Sequence, residues 1–412
     1  MLTVVDLFSG AGGMSFGFHS HKGFKVIAAV DAQIGKPSSG KGTLSCNSTY
    51  EANIGIRPIE ADLSAISPAE LATSIHQTTG ITHPDVLISC APCTGYSRVV
   101  RSRLVKGDPR NNLVLKTADF VEELQPKVLV MENVMELLTG NFSYIFDELQ
   151  ERLNSLGYIV HADVHKLEEF GLPQKRRRVL VIAVKKGLKI HTLESLWEGW
   201  SCPPEATTVR HAIGSLEQLD AGQQSIEDDD HVSPRVSPLS LQRFELIPPD
   251  GGSWTDLLKI KGGYELLIPS HKKLADQGKV GGHRDVYGRL FWDRPAPTIK
   301  RECSSMGNGR YSHPEQNRLC TIRELATLQG FPKNYNFVAN SLANRYRHIG
   351  DAVPPLISFQ IANLCHASLK GYKPTLNDSI LPNSTLTIAD LEKADNCKDY
   401  TQQQGLPLEA AS

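Results

Sequence analysis

Val4-Val5-Asp6-Leu7-Phe8-Ser9-Gly10-Ala11-Gly12-Gly13-Met14 decides the fold. The apolar run Val4 to Phe8 reads as a buried strand. It passes without a linker into a glycine turn, and a helix is expected from there through Phe18. Strand, glycine turn and helix together make a cradle for a nucleotide-like cofactor. Glycines let a ligand approach the backbone, and the helix start offers free amides. The next strand, Phe24 to Val30, ends at Asp31. An acid there is placed to hold ribose hydroxyls, although a turn residue is the plainer reading.

Outward from this unit the chain alternates. A strand is expected near 56–61, ending at Asp62, then a helix over 68–78 and a strand over 86–88. A helix over 111–124, a strand over 128–131, a helix over 143–156 and strands over 158–164 and 179–184 follow. Such alternation defines an α/β fold, a doubly wound Rossmann-like sheet, over residues 1–184. Residues 185–334 differ in character. They contain Pro pairs, glycines and all four tryptophans, Trp197, Trp200, Trp254 and Trp292, and read as a second, smaller, loop-rich region. Helical pattern returns over 321–328. A single helix is expected from Arg345 to about Lys370, so that 335–370 completes the first domain. The tail, 371–412, is polar and expected to be partly disordered. Gly35 to Thr43 contains GxxxxGK, but Gly42 stands where a magnesium-binding hydroxyl is needed. This segment reads as a flexible insertion and not a P-loop.

The 412 residues carry 44 Lys and Arg against 45 Asp and Glu, a net charge of −1. The distribution says more than the total. Residues 93–106 hold Arg98, Arg101, Arg103 and Lys106 with no acid, and residues 172–190 hold seven basic side chains with none. Local basic stripes suit a polyanionic partner, or are solvated faces. No apolar run is long enough to span a membrane. The chain opens directly on a strand, so no signal peptide is expected, and eight scattered cysteines suggest a reducing, cytoplasmic location.

Ser89-Cys90-Ala91-Pro92-Cys93-Thr94-Gly95-Tyr96-Ser97 leaves the strand at 86–88. Strand C-terminal ends are where open α/β sheets place their chemistry. Two cysteines three apart also suggest a zinc pair or a dithiol, but no second CxxC exists and the close His pairs have no cysteine beside them. Cys90 reads as an inert core thiol and Cys93 as a nucleophile. No metal is expected.

The chain resembles the DNA cytosine-5 methyltransferases. The residues that carry the resemblance are ordered motifs over about 2–370: Asp6 to Gly13 for the cofactor loop, Pro92-Cys93 for the nucleophile, and Glu132-Asn133-Val134 for the acid. Gln174-x-Arg176-x-Arg178, Arg323 to Pro332 and Gly350-x-Ala352-Val353-Pro354-Pro355 supply the rest. The chain departs from the family at Ala91 and Thr94, where Pro and Gln are usual. It departs again at Asp31 in place of Glu, at Asp351 in place of Asn, and in the insertion at 35–45.

The resemblance implies S-adenosyl-L-methionine as methyl donor and double-stranded DNA as partner. It also implies a modification enzyme of a restriction–modification system, with a cognate endonuclease acting on the same site and the chain itself monomeric. Carbon 5 of cytosine becomes nucleophilic only when a soft thiolate adds at carbon 6, the role of Cys93. Glu132 would protonate or hydrogen-bond the ring nitrogen. Arg176 and Arg178, two apart on an extended segment, face one side and would hold the base oxygen and orient the loop. The target base must leave the duplex stack, with basic residues 98–110 gripping phosphates. For the cofactor, Phe8 would pack on the adenosine and the Gly10, Gly12 and Gly13 backbone would cradle the methionine end. Asp31 would take the ribose and Asp62 the adenine amine, with Pro92, Leu113 and Asp351 completing the wall. Sequence reading falls to 185–334, where residues 259–310 hold eleven Lys and Arg against five acids. Trp254 is expected to pack and not to stack on a base. A methyltransferase acting on RNA cytosine and a non-catalytic binding protein of the same fold are the competing readings.

Overall fold

In the computed structural model, residues 1–36, 41–92, 112–140 and 142–394 are described. A six-stranded sheet is built from β1 (Leu2–Leu7), β2 (Phe24–Val30), β5 (Val86–Ser89), β6 (Val128–Asn133), β7 (Tyr158–Lys166) and β8 (Arg177–Lys185). β3 (Ile34–Lys36) and β4 (Lys41–Thr43) pair as a hairpin outside it. Its order is β2-β1-β5-β6-β8-β7. The β2, β1, β5 and β6 neighbours run parallel, and β8 runs antiparallel to both β6 and β7. The antiparallel pair needs no crossover helix, because the chain reaches β8 from β7 through a short connection.

Side-chain alternation sends successive residues to opposite faces. Val4, Val128 and Val130 enter one apolar cluster, whereas Val5, Leu7, Leu129 and Met131 enter another. The second cluster is covered by α3 (Pro68–Thr79), α4 (Asn112–Leu124) and α5 (Ser143–Ser155), through Leu71, Val114 and Leu149. The first is covered by α1 (Gly13–Ser20) and α13 (Pro355–Lys370). Both faces are therefore buried, as a doubly wound sheet requires. The helix at 68–79 starts cleanly: Pro68 takes its first position, and Ser67 and Glu70 form a reciprocal capping box.

Three expectations are corrected. Residues 56–61 form no sheet strand; one parallel bridge joins Ile59 to Val30. Pro58, just before it, has no amide to extend a ladder. The helix expected from Arg345 to Lys370 is two, α12 (Leu342–Asp351) and α13, with Ala352 to Pro354 between them. Pro354-Pro355 lacks two amide donors and disfavours helical geometry at the residues before it. The insertion expected to be flexible contributes the β3–β4 hairpin, followed by α2 (Cys46–Ile54). Of the tail, residues 371–394 are described. Leu376, Leu381, Leu386 and Leu391, five apart, are buried against the core, and β10 (Glu392–Lys393) pairs with β9 (Trp200–Ser201).

Between β8 and α12 the regular elements are short: α6 (Leu193–Leu196), α7 (Val209–Ile213), α8 (Pro238–Leu246), α9 (Trp254–Leu257), α10 (Pro269–Asp276) and α11 (Ile322–Leu328). Ile247, Trp254, Leu257, Leu267, Val286 and Tyr287 form a small cluster of their own. Trp254 is fully buried, stacks on His271 at 4.0 Å and donates to the His283 carbonyl, so it packs as expected. Trp197 and Trp292 join the large core instead.

Candidate active site and cofactor cleft

The C-terminal ends of β1, β2, β5 and β6 open on a cleft of about 1600 Å³. Its far wall comes from residues of the loop-rich region, including His283, Arg310 and Arg301. Of the thirteen sequence-predicted site residues twelve are among those described, and all of these but Gly12 line the cleft, divided between two ends.

At the cofactor end, the chain turns sharply after β1. Phe8 takes a left-handed backbone (φ 60) although it carries a side chain, and lies half-buried on the cleft wall. Such a conformation costs about 1–3 kcal/mol and is held by its surroundings. The glycines serve different purposes. Gly10 (φ 52) has open space where a Cβ would stand, which leaves room for a ligand against its backbone. Gly12 lies against the Tyr50 ring, and a Cβ at Gly13 would fall 2.3 Å from the Val353 carbonyl. These two are required by packing.

Asp31 accepts from the Gly10 amide at 2.9 Å and from the Gln33 amide at 2.6 Å, which fixes its carboxylate at the turn. A carboxylate has acceptor capacity beyond two bonds, so ribose hydroxyls can still be received. Asp62 turns one oxygen onto the Ser64 amide and hydroxyl at 2.8 and 2.6 Å, leaving the other for a ligand amine. Leu113 is buried on α4 and lines the cleft, and Pro92 is exposed on its wall. Asp351 faces the cleft at the end of α12 and pairs with Arg301. Although Asp351 is open to the cleft, the surrounding protein desolvates its carboxyl and raises it to about 6, with the Arg301 guanidinium opposing the shift. An open glycine turn flanked by two carboxylates and apolar walls fits an adenosyl amino acid.

On the floor lies Asp6, buried and receiving the Ser15 hydroxyl at 2.6 Å; Tyr50 donates in turn to Ser15 at 2.6 Å. Burial raises the Asp6 carboxyl to about 7, against the pull of the Ser15 bond.

At the catalytic end, Glu132 closes β6. Its Oε1 is 3.0 Å from Arg178 Nε and 3.8 Å from an Arg176 nitrogen. That oxygen is buried without an aligned hydrogen-bond donor. Exposure along the strand alternates as expected: Lys175 and Arg177 point outward, Arg176 is buried and Arg178 is half-buried. The two arginines differ. Arg176 donates to the carbonyls of Ile299 and Ala352 and so ties scaffold segments together, whereas Arg178 faces Glu132.

Cys93, and with it the basic residues from Arg98 to Lys106, lies outside the described residues. Its approach is described. Asn133 donates to the Ala91 carbonyl at 3.2 Å, pinning the backbone two residues before Cys93 to the end of β6. Cys90 is half-buried on the cleft wall, and desolvation beside Glu132 and Asp6 drives its thiol well above its ordinary value, which disfavours the thiolate. Among the described residues no group of His, Cys, Asp or Glu is arranged to hold a metal, and no helix is long and apolar enough to cross a membrane.

Sequence reasoning missed three contributors. Asn133 was seen only as part of a motif. Gln174 receives the Ile299 amide and donates to Gln329, whose own amide reaches the Ala352 carbonyl, so the pair bolts the arginine strand to the end of α12. Arg301 had no motif at all; an unpartnered Asp351 was the one available signal.

A mostly parallel sheet with a glycine turn, a carboxylate-lined cleft and an acid beside two arginines defines a cofactor-dependent group-transfer enzyme of the α/β class. The profile of the C-5 cytosine-specific DNA methylases matches residues 2–367, and the chain belongs to that family. It is a DNA (cytosine-5-)-methyltransferase, and the family takes its methyl group from S-adenosylmethionine. It is 33% identical over 376 residues to the type II methylase M.HgiDII of Herpetosiphon aurantiacus, covering 89% of this chain and 96% of that one. The type II methyltransferase M1.HphI of Haemophilus parahaemolyticus is 32% identical over 363 residues, covering 88% and 86%. The crystal structure of the Dnmt2 methyltransferase of S. pombe shares the fold at a TM-score of 0.54 and 16% identity, covering 89% of this chain and 99% of that one.

Proposed function

We propose that this chain methylates carbon 5 of cytosine within one short sequence of double-stranded DNA, as the modification member of a type II restriction–modification system. Cys93 adds to carbon 6 of a flipped base and is later expelled. The observation that carries the reading is Glu132, a carboxylate at the end of β6 whose buried Oε1 has a charge partner in Arg178 but no aligned donor.

Bound S-adenosylmethionine would supply an electrophilic methyl group on a sulfonium. The chain's own residues do the rest. The Cys93 thiolate forms a bond to carbon 6 while Glu132 provides a proton to the ring nitrogen, so negative charge does not accumulate on the base. Carbon 5 would receive the methyl group as the methyl–sulfonium bond breaks, leaving a neutral thioether. Return of the ring-nitrogen proton to Glu132, loss of the carbon-5 proton to solvent and cleavage of the sulfur–carbon bond to Cys93 then restore the acid, the aromatic ring and the thiolate. Arg178 beside Glu132 would hold the base oxygen, and Arg176, tied to two carbonyls, would keep that strand in place. Phe8, Gly10, Asp31, Asp62, Pro92, Leu113 and Asp351 would hold the cofactor.

Residues 185–334 would read the sequence, since they supply the far wall of the cleft and include the basic stretch 259–310, with eleven Lys and Arg against five acids. The type II enzymes among the relatives favour a DNA duplex and a restriction partner. Base-resolution methylation sequencing of a host expressing the chain tests this, with Cys93→Ala as control. Methylcytosine in one recurring short sequence, absent from the variant, is expected. Unmethylated DNA with methylated host RNA would overturn the substrate assignment.

A further inference from the structure

We propose that Arg301 is a positioning residue for the cofactor: it neutralises Asp351 and joins it to the β3–β4 hairpin, so that the inserted hairpin and the end of α12 form one wall of the cofactor pocket. The proposal rests on the cofactor reading given above.

Arg301 uses its two terminal nitrogens separately. One pairs with the Asp351 carboxylate. The other donates to the Gly35 carbonyl at 2.6 Å, with the Ile34 carbonyl at 3.5 Å. Ile34, Gly35, Arg301 and Asp351 all line the cleft. The hairpin is held to α12 from below as well, where Asn344 donates to the Thr43 carbonyl at 3.1 Å and His348 lies 2.8 Å from the Leu44 carbonyl.

The segment that carries Arg301 is itself fixed. Ala296 receives the Lys175 amide, the Ile299 amide bonds to Gln174, and the Ile299 carbonyl receives Arg176. It passes so close to α12 that a Cβ at Gly350 would stand 2.3 Å from the Lys300 carbonyl. Arg301 therefore reaches Asp351 from a backbone with little freedom.

The charge arrangement gives the reason. Asp351 stands in the field of Asp31 and Glu302 as well as Arg301 and Arg176. Without Arg301 it would present an uncompensated carboxylate to a ligand that carries a carboxylate of its own. Like charges brought together near a protein surface repel, and the repulsion weakens binding. A guanidinium suits the position because its planar fork can serve a carboxylate and a carbonyl at once. An asparagine at 351 would need no such partner, so the acid and Arg301 belong together.

The test is calorimetric binding of S-adenosylhomocysteine to the full chain and to Arg301→Met, Asp351→Asn and the double variant, with thermal unfolding of each ligand-free protein. Arg301→Met should weaken binding by about tenfold or more, and Asp351→Asn by less than about threefold. Placed in the Asp351→Asn background, Arg301→Met should cost no more than about threefold, since the charge it neutralises has gone. Arg301→Lys, which keeps the charge and loses the fork, should fall between. Wild-type affinity in Arg301→Met, or an equal loss in both backgrounds, would overturn the proposal. Failure of the unmodified chain to bind would instead overturn the cofactor reading on which it rests. Should Arg301→Met unfold, the order of Arg301→Lys in the two backgrounds decides.

Discussion

Asp6→Asn should flatten the pH dependence of folding stability. Asp6 is 1% exposed, and its carboxyl is raised from the ordinary 3.8 to about 7. Burial is the main cause, the nearby Asp31 adds to it, and the Ser15 hydroxyl opposes it. Between these two pH values the folded chain keeps the proton and the unfolded chain has lost it. Stability therefore falls as pH rises, is fully retained below about pH 4, and has lost this contribution above about pH 7. A rise of that size corresponds to about 4 kcal/mol in total. The asparagine can still accept the Ser15 hydroxyl, and any cost of placing its amide is the same at every pH. Urea unfolding at pH 5, 6, 7 and 8 for both proteins gives the difference curve directly. The natural chain should lose about 1.4 kcal/mol per pH unit relative to Asp6→Asn below pH 7, and nothing further above it. Parallel curves from pH 5 to 8 would refute the burial argument.

Three further outcomes are expected. Glu132→Gln should lower the single-turnover methylation rate by about 10²–10⁴-fold, with DNA binding retained in a gel-shift titration. Arg289→Met should destabilise the chain by at least about 3 kcal/mol in urea: Arg289 is buried, donates to the carbonyls of Phe244, Ile247, His313 and Gln316 and to Asn317, and none of these partners is a carboxylate. Leu386→Ala should cost about 2–5 kcal/mol, read the same way, because Leu386 is buried against Gly171 at the turn before β8.

What was legible in the sequence followed from local rules. A strand running into glycines and then an apolar helix has one good structural solution, and β1, the turn and α1 adopt it. The two-residue spacing of Arg176 and Arg178 placed both toward Glu132 because an extended strand alternates. The packing of the tail's leucines was not legible: those at 376, 381, 386 and 391 follow neither the helical nor the strand period, so a rule based on those periods passes over them. The break before α13 was signalled by Pro354-Pro355 and overridden by the apolar pattern around it. Arg301 was illegible for a different reason. Its partners lie 50 and 266 residues away, and nothing local distinguishes it from other surface arginines. The departure to Asp351 was visible, but its compensation existed only in three dimensions.

The central claim is that Cys93 attacks carbon 6 of cytosine with Glu132 assisting. Incubation of the chain with S-adenosylmethionine and duplex DNA containing 5-fluorocytosine at the modified position tests it most directly, since fluorine at carbon 5 cannot leave as a proton. A covalent protein–DNA adduct, mapped by peptide mass spectrometry to Cys93 and absent from Cys93→Ala, is the predicted result. An adduct at another residue, or none while the same duplex with ordinary cytosine is methylated, would contradict the account.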